Sequence, residues 1–388
     1  MYKHKKVYIV GGLRTPIGKT NGCLKNFLPE KLTAYLIKGL MDKYNIPKDA
    51  VEEVILGNAI GPGGNLARLS LLEAGLPFHV SGTTIDFQCG SSLKAINMAA
   101  SLIKAEEKDL IIVGGAESTS LAPNKQYHPK DERHRGENVF YKRAQFSPYD
   151  IGDPDMIEGA ENVAKYCSIE REAMDIWAVE SHLKALKAKH EKKLKDVIYN
   201  IETEEGIIQE DDSIRSNPSL KLMKRAKPIL NEQGKITAAN ACLTHDGAAL
   251  IVMASEEAVK RYNLKPKAIW LGGDSAGLHP NLSPLGAAVA AEKLLKSHNL
   301  NIDDIDLIEI NEAFAVKILA FLKYFNCHKD KVNIFGGALA YGHPYGASGA
   351  IIMLHLLEAL KDKNKKIGIA ALGVAGGLGV ATMVERCE

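Results

Sequence analysis

Short runs of β-branched and other apolar residues alternate with longer amphipathic stretches along the 388 residues. The runs VYIVGG, VEEVILG and DLIIVGG are typical of β-strands. By contrast, EKLTAYLIKGLMDKY and GAAVAAEKLLKSH carry apolar residues at the spacing of an α-helix. Because strands and helices alternate, the pattern predicts an α/β fold in which helices cover a sheet.

Four features of this pattern occur twice in the same order, the second time roughly 250–260 residues after the first. A strand ends in a double glycine at Gly12 and again at Gly273, and a strand ends at an asparagine at Asn58 and Asn311. A turn precedes a helix of small residues at Cys89 and His343, and an apolar strand carries paired glycines at Gly114–Gly115 and Gly376–Gly377. This repetition indicates an internal duplication of one core half.

One long segment interrupts the repeated pattern. It begins with a polar run, NKQYHPKDERHRGENVFYKRAQ, and continues with a predicted helix around EREAMDIWAVESHLKALKAKHEKK. Long insertions of this kind commonly shape substrate sites. We therefore expect a first core half at residues 1–120 and 245–266, an excursion at residues 121–244, and a second core half at residues 267–388.

Charge and cysteine content narrow the possible functions. The 49 basic and 47 acidic residues leave a net charge of +2, which favours neither a nucleic-acid nor a membrane partner. The apolar run in MYKHKKVYIVGG is too short for a signal peptide, and no stretch reaches the ~18 apolar residues of a membrane span. The six cysteines form no CxxC pair and no metal-ligand spacing, so we expect reduced thiols, a cytoplasmic location and no metal site.

Cys89 is the strongest candidate for a reactive side chain. The residues TTIDFQ before it predict a strand and SSLKAINMAASLIKA after it predict a helix, which places the thiol at a helix N-terminus. The positive end of the helix dipole lowers the pKa of a thiol at such a position and stabilises the thiolate. The alternative is an inert buried cysteine, since free cysteines are among the most buried residues.

His343 occupies the corresponding turn of the second half, within GGALAYGHPYGASGA. If the halves pack about a pseudo-twofold axis, the two turns meet and Cys89 with His343 forms a nucleophile–base pair. Asn311 at a strand end is a candidate oxyanion stabiliser. Glu312 beside it is expected to be buried, where it could orient the asparagine or the histidine. A surface or capping histidine and a turn-forming asparagine are the alternative interpretations.

Six blocks of the chain resemble the thiolase family in order and spacing, and together they span nearly the whole sequence. They are LRTPIGK, DFQCGSS, VGGAESTSLAP, TAANACLTHDGAA, INEAFA and GGALAYGHPYGASGA. The resemblance implies a layered α-β-α-β-α sandwich of two duplicated βαβαβ-type core halves, with a long loop domain inserted after the first half. It also implies an acyl-CoA C-acyltransferase of fatty acid metabolism, of the short-chain acetyl-CoA C-acetyltransferase type.

The resemblance further implies roles for individual residues. Cys89 corresponds to the acyl acceptor and His343 to the group that takes the thiol proton. Asn311, through a water, and His343 correspond to the oxyanion hole for the enolate of the second substrate. The backbone N–H groups of Cys89 and Ala375 correspond to a second oxyanion hole. Coenzyme A and acyl-CoA are implied as substrates, with no permanently bound cofactor, and a homodimer or homotetramer is implied as the assembly. The expected coenzyme A contacts are Arg215, Lys221, Met156, Cys242 and Phe314. For Arg215 and Lys221, the alternative is that they belong to a solvated charged surface and do not bind coenzyme A.

The chain departs from the family pattern near its C-terminus. Where the family carries a second cysteine in a C-x-G motif, the segment IGIAALGVAGGLGVA has Gly373, and Cys387 lies too far along the chain to replace it. Cys242, His245 and His343 are candidate replacements for that missing acid/base. A Gly373→Cys variant is expected to gain thiolysis activity if the missing thiol limits turnover. Other departures from the family residues stand at Asp86, Ser92, Cys242, His245 and Asp155.

Three functions remain open on these residues. The first is a thiolase that carries out the full Claisen reaction by ping-pong acyl transfer through a thioester on Cys89. The second is a thiolase-like acyltransferase or acyl-thioesterase that loads Cys89 but is poor at condensation, because the second catalytic cysteine is replaced by Gly373. The third is a non-catalytic acyl-CoA-binding or scaffold protein, which the presence of Cys89, His343 and Asn311 disfavours.

Overall fold

The structure is a computed structural model in which residues 5–387 are described. The outer ends of the two expected core halves, residues 1–4 and residue 388, lie outside that range. In chain order the strands are β1 (Val7–Arg14), β2 (Gly18–Lys19), β3 (Glu53–Gly57), β4 (Ser81–Ile85), β5 (Leu110–Glu117), β6 (Ile201–Thr203), β7 (Gly206–Ile208), β8 (His245–Ser255), β9 (Ala268–Gly277), β10 (Leu307–Ile310), β11 (Ile367–Val374) and β12 (Leu378–Arg386). The helices are α1 (Pro29–Tyr44), α2 (Leu66–Glu73), α3 (Ser91–Lys104), α4 (Met156–Tyr166), α5 (Arg171–His190), α6 (Leu220–Met223), α7 (Glu256–Arg261), α8 (Gly286–Ser297), α9 (Ala315–Phe325), α10 (Ala338–Tyr341) and α11 (Ser348–Asp362).

The order of the strands reflects the internal duplication. The path through the main sheet is β10-β11-β12-β9-β1-β8-β5-β3-β4, and β2 pairs with β8. At its centre β1 and β9 pair antiparallel. Outward from this pair the strands follow in matching order, β8 and β12, then β5 and β11, then β3 and β10. The next position holds β4 in the first half and a single parallel bridge between Ile308 and Val332 in the second.

The double glycines of the first repeated feature do not end their strands. β1 continues to Arg14 and β9 to Gly277. The pairing of β1 shifts at Val10 and that of β9 shifts at Leu271, so each strand carries a bulge just before its double glycine. A bulge accommodates an extra residue and lets the strand continue. The expectation that these strands end at the double glycines was therefore wrong.

Three hydrophobic clusters separate five layers of structure. The central cluster surrounds α3 and α11, which pack between the two halves of the sheet. A second cluster joins the outer face of the first half to α1 and α2, and a third joins the outer face of the second half to α8 and α9. Successive residues of one strand serve different clusters, since Ile251 belongs to the central one and Leu250 to the outer one. The layered α-β-α-β-α sandwich is confirmed.

The excursion leaves the first half after β5 and returns to it at β8, which pairs with both β1 and β5. It contains α4, α5, α6 and the small β6–β7 hairpin. The division at residues 120, 244 and 266 stays a prediction. Within residues 5–387, none of the helices combines the length and the apolar character needed to traverse a bilayer.

Arg14 joins the first half, the excursion and α11 at a fully buried point. Its guanidinium donates two hydrogen bonds, of 2.7 and 2.8 Å, to the carboxylate of Asp211. Its Nε lies 3.2 Å from Nε2 of His355. Because both charges are removed from water, each depends on the other for compensation.

We predict that Arg14→Met lowers the free energy of unfolding by about 3–5 kcal/mol, because the buried Asp211 carboxylate loses its counter-charge. Urea denaturation followed by circular dichroism measures the change. Lys260→Met is the control, since it removes an exposed pair with Glu256 on one face of α7 and is expected to cost less than about 1 kcal/mol. Equal losses in the two variants would contradict a structural role for the buried pair.

Candidate active site

Cys89 lies in the turn between β4 and α3, immediately before Gly90, the N-cap of the helix. The strand ends at Ile85, earlier than expected, because the Asp86 carboxylate accepts a 2.7 Å hydrogen bond from the backbone N–H of Gln88. Gln88 has a φ of 48°, a left-handed conformation that is uncommon for a side chain of this size. Strained residues of this kind cluster at functional sites.

The environment of Cys89 favours the neutral thiol. Burial raises its pKa to about 11, although the positive charge of Lys317 opposes this shift. The expectation that the helix N-terminus stabilises a thiolate at rest was therefore wrong, because loss of hydration outweighs the helix dipole here. The thiol needs a base before it can attack a carbonyl.

His343 is a suitable base and stands in the loop between α10 and α11. Gly342 before it has a φ of 115°, and a β-carbon at that position would overlap the ring of His245. The chain therefore needs glycine there to bring His343 into place. His343 is buried, and burial together with the charge of Lys317 moves its pKa well below the ordinary value of 6.5. Its imidazole is neutral at physiological pH.

The hydrogen bonds around His343 fix its tautomer. The hydroxyl of Ser348 donates to the carbonyl of Pro344 at 2.9 Å, so it accepts the 2.6 Å hydrogen bond from Nδ1–H of His343. Nε2 is then unprotonated, and the amide of Asn311 donates to it at 3.3 Å. The ring presents the lone pair that a general base requires.

Asn311 follows β10 and is fully buried. Its side-chain nitrogen donates to His343, whereas its Oδ1 is buried and has no hydrogen-bond partner among residues 5–387. Such atoms are rare in folded proteins because leaving one unsatisfied costs about 1–3 kcal/mol. The expectation that Asn311 holds a water next to a substrate stays a prediction, for which this acceptor is available.

Glu312 has a different task from the one expected. It is buried, as predicted, but its carboxylate accepts hydrogen bonds from Trp177 Nε1 at 2.9 Å, Ser181 Oγ at 2.6 Å and Asn333 Nδ2 at 2.9 Å. These contacts tie α5 of the excursion to the second half. Among the described residues, Glu312 forms no side-chain hydrogen bond with Asn311 or His343, so it does not orient either of them directly.

Two contacts hold the His343 loop and the start of α11 against the first half, one at α3 and one at the end of β5. The hydroxyl of Ser92, in the first turn of α3, accepts a 3.0 Å hydrogen bond from the backbone N–H of Ala350 in α11. Glu117 at the end of β5 accepts a 3.0 Å hydrogen bond from the backbone N–H of Gly346. The same carboxylate also binds backbone N–H groups at residues 59 and 60, and burial raises its pKa to about 7. The two helix N-termini thus adjoin each other, as the duplication predicted.

Gly373 lies near the end of β11, and Ala375 is buried in the turn that follows. A β-carbon on Gly373 would lie 2.8 Å from the carbonyl oxygen of Pro284 and 2.9 Å from that of Ser283. Backbone atoms cannot yield as a flexible side chain does, so a cysteine does not fit here without a shift of the chain. A gain of thiolysis in Gly373→Cys stays a prediction, and it now requires the backbone around Pro284 to move.

Lys317 was missed by the sequence reasoning and lies at the centre of the site. It is fully buried in α9, and its Nζ donates a 2.8 Å hydrogen bond to the carbonyl oxygen of Gly373. Its charge acts on Cys89, Cys242 and His343. Burial lowers the pKa of Lys317 itself. Within residues 5–387 it forms no ion pair with a carboxylate, so this is an isolated buried amine.

The three candidate replacement bases differ in their freedom to act. Nε2 of His245 is 2.7 Å from Ser213 Oγ, and its Nδ1 is 2.8 Å from the carbonyl oxygen of Leu243 and 3.1 Å from the backbone nitrogen of His343, so both ring nitrogens are engaged. Burial raises the pKa of Cys242 to about 12. His343 is committed to Ser348 and Asn311. Asp155, another departure, caps α4 by accepting from the backbone N–H groups of its first turn.

The residues expected to contact coenzyme A lie on two levels. Arg215 and Lys221 are exposed on the excursion, and among the described residues neither forms an ion pair. Met156 and Cys242 are half-buried against the second outer cluster, and Phe314 is a buried N-cap of α9 paired with Ala241. The charged residues of this set thus lie at the surface, and its apolar residues are partly or fully buried.

We predict that iodoacetamide alkylates Cys89 slowly at neutral pH and about tenfold faster per pH unit between about pH 7 and pH 9.5, because the thiolate fraction rises with pH below a pKa of about 11. Peptide mass spectrometry after timed quenching measures this rate. Cys387, which lies beyond β12, gives an internal comparison within each sample. A rate that levels off below about pH 8 would show that Cys89 is a resting thiolate.

Comparison with known proteins accounts for this arrangement. Residues 7–257 match the thiolase N-terminal domain and residues 264–386 match the thiolase C-terminal domain. A Bacillus subtilis (strain 168) protein named "Putative acetyl-CoA C-acetyltransferase YhfS" is 43% identical over 380 residues, covering 97% of this chain and 98% of that protein. The Bacillus anthracis acetyl-CoA acetyltransferase structure superposes with a TM-score of 0.93 and 34% identity over 100% of both chains. Human mitochondrial 3-ketoacyl-CoA thiolase in complex with CoA superposes with a TM-score of 0.91 and 29% identity, over 99% of this chain and 98% of that one. The chain belongs to the thiolase family.

Proposed function

We propose that this acyltransferase is an acetyl-CoA C-acetyltransferase that works in two stages through a thioester on Cys89. The printed activities of its Bacillus relatives support the choice of acetyl-CoA. The observation that carries the proposal is the fixed tautomer of His343, whose unprotonated Nε2 accepts a hydrogen bond from Nδ2 of Asn311, the residue with the orphaned Oδ1. A base and an unused acceptor are thereby held beside the nucleophile turn.

In the first stage Nε2 of His343 takes the proton of the Cys89 thiol, and the thiolate attacks the acyl carbonyl. The neutral thiol and neutral imidazole exchange this proton inside the site, so no charge has to be brought in from water. When the tetrahedral intermediate collapses, the bond to the sulfur of CoA breaks, CoA leaves and the acyl group stays on Cys89. The backbone N–H groups of Cys89 and Ala375 stabilise the oxyanion of that intermediate. Preorganised donors of this kind are worth roughly 3–4 kcal/mol each to the transition state.

The second stage makes or breaks a carbon–carbon bond. The substrate passes through an enolate, whose oxygen needs hydrogen-bond donors as its charge develops. A water held by Oδ1 of Asn311 supplies one donor. The enolate carbon must also receive or lose a proton. Splitting the reaction at the acyl-enzyme replaces one difficult step with two easier ones.

Coenzyme A and acyl-CoA are the substrates, and we assign their contacts as the sequence suggested. Arg215 and Lys221 are exposed cations suited to the nucleotide phosphates. Met156, Cys242 and Phe314 supply apolar surface for the thiol arm, closer to Cys89. No resident cofactor takes part in this scheme.

An acyl-thioesterase is the second candidate function, and Gly373 favours it. A residue without a side chain cannot transfer a proton to carbon, and the surrounding backbone leaves no space for one. In that case acyl-Cys89 would pass its acyl group to water rather than to a carbon nucleophile.

The wider setting is proposed on the same basis. All six cysteines are free thiols, which supports a reducing compartment such as the cytoplasm. β4 ends the sheet path, and Phe78 close to it is 86% exposed. An open strand edge beside an apolar side chain supports pairing of two subunits in a homodimer, or in a homotetramer of such pairs. A short-chain thiolase of this type would serve fatty acid metabolism.

We predict that acetyl-CoA places one acetyl group on Cys89, detectable by peptide mass spectrometry after acid quenching. Added CoA is expected to remove it, and acetoacetyl-CoA with CoA is expected to yield acetyl-CoA. Cys89→Ala should abolish labelling, whereas Cys242→Ala tests the neighbouring thiol and should retain it. Labelled Cys89 that releases acetate to water without thiolysis would favour the thioesterase, and absence of labelling would contradict both functions.

We predict that Ser348→Ala lowers kcat of thiolysis by about ten- to hundredfold with little change in KM, because the tautomer of His343 is no longer fixed. Steady-state kinetics with acetoacetyl-CoA measure both constants. Ser348→Thr keeps the hydroxyl and should recover most of the activity. An equal loss in the threonine variant would point to a packing role for Ser348 instead.

A further inference from the structure

The second stage of the proposed reaction lacks an evident proton carrier. A carbon–carbon bond cannot break in this way unless the departing enolate carbon is protonated, and the reverse reaction must remove that proton. The hydrogen-bond geometry of His343 suits it to the thiol of Cys89. Gly373 provides no side chain. A different group must therefore serve the α-carbon.

The titratable groups around Cys89 can be compared by their existing contacts. Both ring nitrogens of His245 are engaged, and Glu117 already accepts hydrogen bonds from three backbone N–H groups and from Asn58. Burial raises the pKa values of Cys242 and Tyr345, so both side chains stay protonated near neutral pH and neither is available as a base. Lys317 has one hydrogen bond, to the Gly373 carbonyl, and two remaining N–H groups.

The position of Lys317 joins the two parts of the site. Its hydrogen bond fixes Nζ 2.8 Å from the carbonyl oxygen of Gly373 in β11, two residues before Ala375. Among residues 5–387 no carboxylate forms an ion pair with Lys317. Its charge acts on Cys89 before α3, on Cys242 before β8 and on His343 before α11. A full positive charge at this depth is costly, and an amine that can release its proton avoids that cost.

We propose that Lys317 is the catalytic acid and base for the α-carbon, in the function proposed above. In the cleavage direction, Cys89 attacks the ketone carbonyl after giving its proton to His343. The carbon–carbon bond then breaks, its electron pair forms the enolate, and the ammonium of Lys317 gives a proton to the enolate carbon. Acetyl-CoA leaves, and acyl-Cys89, protonated His343 and the neutral amine of Lys317 remain.

The second substrate restores the starting state. The neutral amine takes the proton of the CoA thiol, and the CoA thiolate attacks the thioester carbonyl of acyl-Cys89. Collapse of the tetrahedral intermediate breaks the bond to Sγ of Cys89, which recovers its proton from His343. Acetoacetyl-CoA and CoA have become two acetyl-CoA, and both proton carriers are regenerated. The burial that lowers the pKa of Lys317 brings its two protonation states closer in free energy, as this cycle requires.

Proton exchange at carbon tests this role without relying on overall turnover. Acetyl-CoA is incubated with each protein in heavy water, and deuterium in its methyl group is measured by mass spectrometry. Acetylation of Cys89 is measured in parallel after prolonged incubation. It requires a folded site but no proton transfer at carbon, and when Lys317 is replaced CoA can leave as its thiolate and take a proton from water. Lys317→Met and Lys317→Arg should both acetylate Cys89, yet incorporate deuterium and cleave acetoacetyl-CoA about 10²–10⁴-fold more slowly.

The arginine variant separates proton transfer from charge. Arginine keeps a buried cation and a donor for Gly373, but it does not release its proton in proteins. Deuterium incorporation at the wild-type rate in Lys317→Arg would overturn the proposal, and so would an unchanged rate in Lys317→Met. If Lys317→Met fails to acetylate Cys89, the deuterium incorporation of Lys317→Arg alone decides whether Lys317 transfers the proton.

The matched control is Lys323→Met. Lys323 stands on the same helix and its Nζ also donates to a backbone carbonyl, that of Cys167, but at the surface. This variant should match the wild type in all three measurements, and an equal loss there would overturn the proposal. Wild-type protein that never carries an acetyl group on Cys89 would overturn the proposed function and this role with it. Labelled Cys89 with unaltered exchange in both Lys317 variants would overturn the role of Lys317 alone.

Discussion

The close approach of the His343 loop to the first half of the sheet is the constraint on which the site depends. A β-carbon on Gly115 would overlap the carbonyl oxygen of Gly346, and one on Gly346 would lie 2.7 Å from the carbonyl oxygen of Gly57. Side chains at these positions would push the loop away from β3 and β5. Because α11 begins at the end of this loop, the backbone contact sets the distance between the His343 turn and the N-terminus of α3.

The same tight packing removes water and changes the acid–base chemistry in one consistent sense. Burial raises the pKa of Cys89 and Glu117 and lowers that of His343 and Lys317, so every group is biased toward its neutral form. Protons can then pass between partners without large changes in solvation. A helix dipole acts on Cys89 as well, but it is a partial charge at a helix end, and here it is weaker than the loss of hydration.

The sequence was sufficient for features set by local pattern and repetition. The duplicated halves, the order of the layers, α3 after Cys89 and α5 in the excursion all follow from periodicity, glycine position and family motifs. Lys317 could not be recognised in the same way, since in AVKILAFLKYF it looks like one of two lysines on an amphipathic helix. Its burial depends on β11 and on the turn before α3, which lie far away in the chain. The tautomer of His343 likewise depends on Ser348 and Pro344, whose hydrogen bonds a motif does not reveal.

The departures from the family pattern fall into two physical kinds. Ser92 accepts a hydrogen bond from the backbone of α11, and Asp155 accepts hydrogen bonds from the backbone of α4. These two departures therefore have structural roles. Gly373 is a departure of a second kind, because its backbone is hydrogen-bonded to Lys317. Gly373 has no side chain, and backbone atoms fill the space where one would lie. Its carbonyl oxygen accepts a hydrogen bond from the amine of Lys317. An uncompensated buried lysine costs stability, and one that lies beside the nucleophile is explained more readily by proton transfer than by packing.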